Sequence, residues 1–375
     1  MRIGVDARLL SIPLTGIGRY TAELSRALLA QRSDLTLYMP QSPTDDWSGP
    51  NVHVRAGQIR GRVGRMLWSQ TVLPWQAGRD HVDVFWGPGH RLPRYLPRSI
   101  ARVVTIHDLV WKHAGETMRP LSRFMDSTLM PEAVRLADRV IAVSRSTADA
   151  LEAEFPAARG KVRVVYPGAT ELEAPDGPES LSALGVDQPY FLFVGTLEPR
   201  KNLKRLLGAY ARLPESLRLA CRLVIAGGKG WGGVNVPQLL ASMGLTEQVT
   251  VTGYVTDAQL SSLYAHAHFL AMPSLYEGFG LPLIEAMSFG VPVITSNISS
   301  LPEVAGEAGL LVDPLDEGAI ANGLSRLLTD ETLHAALAGN ARVNAARFTW
   351  RAAAEQTMNV FSEAFEARRA MVGRG

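Results

Sequence analysis

His268–Ser296 reads HFLAMPSLYEGFGLPLIEAMSFGVPVITS, and the order of residue types in it points to one kind of fold. HFLAMPS and VPVITS are short apolar runs of strand character, and glycine and proline punctuate what lies between them. Proline suits the first position of a helix, where its missing N–H leaves nothing unpaired. Pro282 therefore predicts a glycine-containing loop from Glu277 to Leu281 and a helix from about Pro282 to Phe289. The first turn of such a helix points free N–H groups and a positive dipole end into the loop. That place favours negative charge, above all phosphate. Glu277 lies before the helix and Glu285 in its first turns, so both can border one ligand.

The same alternation runs outward in both directions. RIGVD, LTLYM, VDVFW, RVVTIHD, RVIAVS and VRVVYPG are strand candidates in the first half, with helical patterns such as RYTAELSRALLAQ between them. After a polar stretch it restarts with YFLFVG, RLVIAG, VTVTGYV, HFLAMPS, VPVITS and AGLLVD. Nearly continuous apolar strands separated by helices indicate parallel sheets covered on both faces. The expected class is α/β, with two Rossmann-like doubly wound domains. Residues 1–168 form the first, 169–188 a linker and 189–349 the second; 350–375 form a C-terminal helix that the sequence leaves free to return to the first domain. Ligands in such folds collect at the carboxyl ends of strands, so a cleft between the domains is the default site.

Composition narrows the function classes. The 375 residues suit two cores rather than one. A net charge of +2 gives no case for nucleic acid, but nine arginines between Arg55 and Arg102 face only Asp80 and Asp83. That cluster is either a solvated surface or a face for an anionic partner such as lipid headgroups. Cys221 is the only cysteine, which excludes an intramolecular disulfide and a cysteine-based metal site. MRIGVDARLL is a strand-like start rather than a signal peptide, and no apolar run reaches membrane-spanning length, so the expected compartment is the cytoplasm.

Several candidate groups fall at strand ends. Gly16 and Gly18 follow the first strand, where glycine either makes a tight turn or lets a backbone N–H approach a phosphate. His107 and Asp108 end an apolar strand, and the histidine is either structural or a substrate contact. Arg200 and Lys201 end the first strand of the second domain, where two adjacent cations suit a diphosphate. Absences matter too: there is no Asp-x-Asp to hold Mg²⁺ on a sugar nucleotide, and no G-x-x-x-x-G-K-[ST]. GGKGWGG, Gly227–Gly233, has the wrong spacing for a phosphate loop and reads as a mobile loop, while His266 and His268 lack metal-site partners. A departing diphosphate must then be offset by Arg200, Lys201 and the helix near Pro282, which predicts a transferase that needs no metal.

At this point the residues resemble the family 4 glycosyltransferases, retaining enzymes of the two-domain GT-B architecture. TGIGRY, TIHDL, AVSRST, GTLEPRKN, MPSLYEGFGLPLIEAMSFGVPVITS and FTW carry the likeness, and Glu277-x7-Glu285 around GFGLP is the most specific of them. The resemblance implies that Glu285 binds the nucleoside ribose and that Glu277 borders the donor sugar. The N–H groups of Phe279, Gly280 and Leu281 would reach sugar hydroxyls and phosphate, and Arg200 and Lys201 would clamp the diphosphate. The Gly16–Gly18 loop would approach that diphosphate, His107 would touch the donor sugar, and Tyr254 and Val255 would read the base by backbone contacts. Many relatives carry a basic residue at Thr196, which shifts weight onto Arg200 and Lys201. Aspartate is frequent where His268 stands, a position of structural character.

Cleavage of a sugar–phosphate bond gives an oxocarbenium-like sugar and an anionic leaving group, which preorganised cations and N–H groups stabilise. No residue stands out as a covalent nucleophile, so the expectation is same-face attack, with a departing phosphate oxygen taking the acceptor proton. The start of the chain and GTLEPRKN are similar to bacterial enzymes that build surface polysaccharides, O-antigen among them, from GDP-mannose or GDP-rhamnose. A UDP-sugar is the runner-up donor. The implied acceptor is a lipid-linked glycan, and RVGRMLWSQTVLPW mixes arginines with Leu67, Trp68 and Trp75 as interfacial helices do, though an ordinary helix covering the sheet reads the same way. Two other classes remain: a nucleotide-sugar-binding regulator without turnover, against which the intact Glu277, Glu285, Arg200, Lys201 and His107 argue, and a dinucleotide oxidoreductase, which lacks its G-x-G-x-x-G after the first strand.

Overall fold

A computed structural model of the chain describes residues 1–12, 16–59, 61–170, 172–175, 177, 179–186, 189–232 and 235–373, with Arg62 as backbone only. Expectations placed on Arg60, the Arg62 side chain, Gly233 and part of 169–188 lie outside the described residues. The chain divides into two compact units, Met1–Leu109 with Ser122–Gly168 and Thr349–Gly375, and Val110–Leu121 with Ala169–Phe348.

Among its described residues the first unit carries β1 (Arg2–Asp6), β2 (Asp34–Met39), β3 (Val52–Ala56), β4 (Val84–Gly87), β5 (Ala101–Ile106), β6 (Arg139–Ala142) and β7 (Val162–Val164). They pair in parallel in the order β3-β2-β1-β4-β5-β6-β7, with Ile3 beside Leu35 on one side of β1 and beside Val84 on the other. Ile3, Val5, Val103, Val104 and Ile106 are fully buried, as strands covered on both faces require. The helix Gly16–Ala30 buries Tyr20, Leu24 and Leu28, one stripe at a spacing of four.

The C-terminal helix Trp350–Val372 packs on this unit. Thr349 caps it by accepting from the Ala352 N–H at 3.2 Å, and its buried stripe includes Ala353, Ala354, Thr357, Phe361 and Ala364. The Trp350 ring meets Tyr20 edge-on at 5.8 Å, Phe361 lies 6.0 Å from Trp86, and Arg368 pairs with Asp138 at 2.8 Å. Apolar stripe and ion pair together fix the helix to a sheet formed more than 180 residues earlier in the chain, at β6 and before.

In the second unit the described strands are β8 (Tyr190–Val194), β9 (Arg222–Ala226), β10 (Val249–Gly253), β11 (Leu270–Met272), β12 (Val293–Ser296) and β13 (Gly309–Val312). The order is β10-β9-β8-β11-β12-β13, again all parallel. Phe191, Phe193, Leu206, Tyr210, Ile225 and Phe269 form the core between this sheet and its helices. In both units the strand order reverses beside the first strand, at β1/β4 and at β8/β11. Such reversals leave a crevice at the carboxyl ends, where ligands of this architecture bind.

The division differs from the expected spans at one segment. Val110–Leu121 groups with the second unit rather than the first, and its His113 ring stacks on Tyr276 at 5.4 Å and 16°. Two described residues of the 169–188 linker are held to the second unit: Ala169 donates its N–H to Phe348 O at 3.1 Å, and Ser261 Oγ donates to Glu173 O at 2.6 Å.

Candidate functional site

The crevice at β8/β11 is built by two loops that lock together. After β8 the chain turns through Pro199–Lys201 to Asn202, which takes a left-handed backbone (φ 60°). The Asn202 amide donates to Pro273 O at 2.9 Å and to Pro314 O at 2.7 Å, tying this turn to the loops after β11 and β13. Leu275 N–H donates to Arg200 O at 2.8 Å. Glu277 is held by its backbone as well, donating its N–H to Ser299 Oγ at 3.2 Å and accepting at its carbonyl from Ser300 Oγ at 3.0 Å.

The Glu277 carboxylate is buried and bonded to Lys201 Nζ at 2.7 Å and to Arg200 Nη1. Burial alone pushes its pKa up, but the two adjacent cations outweigh that and hold it at about 2. Arg200 also donates to Glu198 Oε1 from Nη2 at 2.6 Å and from Nε at 3.1 Å, and from Nη1 to Tyr276 O at 2.7 Å. Two cations and two carboxylates sum to no net charge. The adjacent cations expected from the sequence are thus compensated, by Glu198 two residues before Arg200 and by Glu277, which a distant loop brings alongside.

Beside this cluster the helix Leu281–Ser288 starts one residue before the expected position, so Pro282 is its second residue. Gly280 precedes it at φ 105°, a left-handed conformation that favours glycine. Among the described residues the N–H groups of Gly280 and Leu281 have no acceptor. Phe279 is buried, and its carbonyl accepts from Ser300 Oγ at 3.0 Å. Glu285, also buried, accepts from Tyr264 Oη at 3.0 Å. Tyr254 follows the edge strand β10 and is 81% exposed, and Val255 is partly exposed.

The glycine-rich segment after β9, expected from its composition to be a mobile loop, lies close to the turn after β8 at three of its described glycines. A Cβ at Gly227 would overlap the carbonyl of Gly195, one at Gly230 that of Leu197, and one at Gly232 the ring of Pro199. Leu197 donates its N–H to Gly228 O at 3.1 Å, and Trp231 Nε1 donates to Glu198 Oε2 at 3.2 Å. These glycines serve close backbone packing against the cation-bearing turn.

In the first unit, Gly16 opens its helix and a Cβ there would meet nothing within 4 Å, while Gly18 is buried. His107 follows β5, and its ring meets Tyr20 edge-on at 4.6 Å. Its Nε2 lies 2.7 Å from Pro88 O, which only accepts, so the neutral ring carries its proton on Nε2 and its lone pair on Nδ1. Burial, then the neighbouring His90, lower its pKa to about 3. His90 Nε2 in turn accepts the His107 N–H at 3.0 Å.

Sequence reading missed Glu198, Asn202, Trp231, Tyr264, Ser299, Ser300 and His90. Asn202 carried a usable signal, since asparagine ahead of a helix tolerates a left-handed turn; apart from Glu198, which bonds Arg200 two residues on, the others act through contacts that span many residues.

Residues 14–170 match the profile described as Glycosyltransferase Family 4, and residues 181–344 that of Glycosyl transferases group 1. O-antigen chain mannosyltransferase B of Escherichia coli is 32% identical over 96% of this chain and 99% of its own. The chain belongs to the family 4 glycosyltransferases. A D-inositol 3-phosphate glycosyltransferase of Streptomyces avermitilis is 34% identical over 95% of this chain and 85% of its own. Among solved structures, sucrose-phosphate synthase from Thermosynechococcus elongatus superposes with a TM-score of 0.79 at 23% identity, covering 98% of this chain and 99% of the other. The two doubly wound units of this glycosyltransferase are those of the GT-B architecture.

Proposed function

We propose that this glycosyltransferase moves a hexose, mannose or rhamnose, from a GDP-sugar to a growing lipid-linked glycan, with retention and without a metal ion. The observation that carries the reading is the Lys201–Glu277–Arg200 cluster at a sheet reversal, next to the acceptor-free N–H groups of Gly280 and Leu281. The name of the Escherichia coli relative supports mannose and a polysaccharide acceptor. The sequence holds no Asp-x-Asp to carry a metal on the donor, which motivates the metal-free form of the reading.

In this mechanism the bond between C1 and the phosphate oxygen breaks with its electron pair leaving on the diphosphate. The acceptor oxygen attacks C1 from the same face, and its proton passes to the departing oxygen. Lys201, the N–H groups of Phe279, Gly280 and Leu281, and the helix dipole offset the charge that develops there. Glu277, anionic at neutral pH, supports the cationic sugar, and Glu285 takes the ribose hydroxyls. His107 accepts a sugar hydroxyl at Nδ1. The Gly16–Gly18 turn approaches the diphosphate, and Tyr254 and Val255 meet the base through their backbone.

The protein would work in the cytoplasm against the inner face of the membrane. No described helix is long and apolar enough to cross one. Val63, Met66, Leu67 and Trp75 are exposed on the helices Arg62–Gln70 and Val72–Arg79, interleaved with Arg65 and Arg79. Such a face suits anionic headgroups, and binding to phosphatidylglycerol vesicles that survives reversal of both arginine charges would remove this part of the reading.

The deciding test incubates the protein with GDP-mannose, GDP-rhamnose or UDP-glucose, with and without EDTA, and follows nucleotide release and the anomeric configuration of the product. Turnover of a GDP-sugar that survives chelation, with an axial-to-axial or equatorial-to-equatorial outcome, fits. Turnover of UDP-glucose alone replaces the donor, and abolition by EDTA removes the metal-free step.

A further inference from the structure

The glycine-rich loop and Glu198 have no part in the reaction above, yet they touch the cluster at its centre. Glu198 receives two bonds from Arg200 on Oε1, and Trp231 pins the other oxygen at 3.2 Å. Arg200 thereby has its Nε and Nη2 edge committed to Glu198, and Nη1 is left for Tyr276 O and Glu277. Lys201 is different: among the described residues its ammonium, with three donors, makes one bond, to Glu277.

We propose that Trp231, Glu198 and Arg200 form a positioning relay that fixes the Glu277 carboxylate, and that Lys201 alone of the two cations meets the donor's diphosphate. The inference rests on the nucleotide-sugar reading of this site. Arg200 is a poor phosphate ligand because its planar fork is already filled by carboxylate and carbonyl oxygens, whereas a compact ammonium on a flexible stem re-partners easily. The three glycine contacts with Gly195, Leu197 and Pro199 keep Trp231 in reach of Glu198.

Two variants separate the roles. Trp231→Phe keeps an aromatic side chain, though a smaller one, and removes the indole N–H, so nucleotide release from whichever of GDP-mannose and UDP-glucose the native chain consumes, with water as acceptor, should slow about five- to tenfold in kcat. Its Kd for the matching nucleoside diphosphate, by calorimetry, should stay within about twofold at unchanged stoichiometry, which excludes a misfolded fraction. Glu198→Gln raises the cluster's formal charge by one and should tighten that Kd about two- to fivefold while lowering kcat, the opposite sign to structural damage. In the double variant the kcat losses should not multiply, since both act through one carboxylate. Native kcat in Trp231→Phe, weaker nucleotide binding in Glu198→Gln, or multiplying losses would each overturn the relay. Absence of any nucleoside diphosphate binding by the native chain would instead overturn the donor-site reading.

Discussion

The crevice at β8/β11 and the one at β1/β4 occupy equivalent places in two copies of one architecture, and their side chains differ in kind. The second unit gathers four charged groups, Glu198, Arg200, Lys201 and Glu277, in mutual contact. The first unit places a glycine turn there, and His90 and His107 at the ends of β4 and β5, with His107 uncharged until about pH 3. Strand order fixes where a ligand can lie; loop residues decide whether the place offers ions or dipoles. A charged, compensated cluster suits a leaving group whose charge grows during reaction, and a neutral imidazole suits a sugar hydroxyl.

The largest break in that contrast comes from Glu277→Gln. With the carboxylate gone, the cluster keeps its cations and loses the anion that faces the sugar, so kcat should fall about a hundred- to a thousandfold. Binding of GDP should hold or tighten, because the site becomes more positive. Loss of GDP binding with kcat retained would assign Glu277 to the ground state and reverse the argument.

Acid provides the next test. Glu277 has a folded pKa near 2 against an ordinary 4.5, a depressed carboxylate, so its contribution is complete above about pH 4.5 and disappears as pH falls toward 2. The difference corresponds to about 3 kcal/mol. His107 acts in the same direction over a higher window: the unfolded chain takes up a proton near pH 6.5 and the folded one only near 3, so stability declines as pH falls below 6.5. Urea melts from pH 7 to 3 should show that fall, and in Glu277→Gln the fall below about pH 4.5 should be shallower, since only the His107 part continues there.

Much of this was legible in the sequence. Continuous apolar strands such as RVVTI and YFLFV fixed parallel sheets covered on both faces, and the loop between Glu277 and Pro282 fixed the place of the acidic group. Composition could not show that Arg200 would bond Tyr276 and Lys201 would bond Glu277, since that depends on two loops 76 residues apart lying side by side. Nor could it show that Gly227 and Gly230 pack against backbone: glycine permits both mobility and close approach, and only the neighbour decides. His113 was likewise invisible, because stacking on Tyr276 leaves no periodic trace.

His107 sharpens the comparison at smaller scale. Its ring should show no titration by proton NMR between pH 5 and 8, and His107→Gln should lower kcat/KM for the donor about tenfold, the value of one hydrogen bond to a neutral acceptor. A ring titrating near pH 6.5, with activity following it, would make the first unit's crevice a charged one after all.

Tyr254 gives the smallest expected effect. Its ring is 81% exposed beyond the edge strand β10, so no packing fixes it over a base, and the proposed contacts there come from the backbone. Tyr254→Ala leaves that backbone in place and should change GDP affinity less than about twofold. Stacking of a base on an aromatic face is worth about 1–3 kcal/mol, so a loss of tenfold or more would show the ring closing over the base. The contrast between the units would then have to include a side chain that orders only with nucleotide bound.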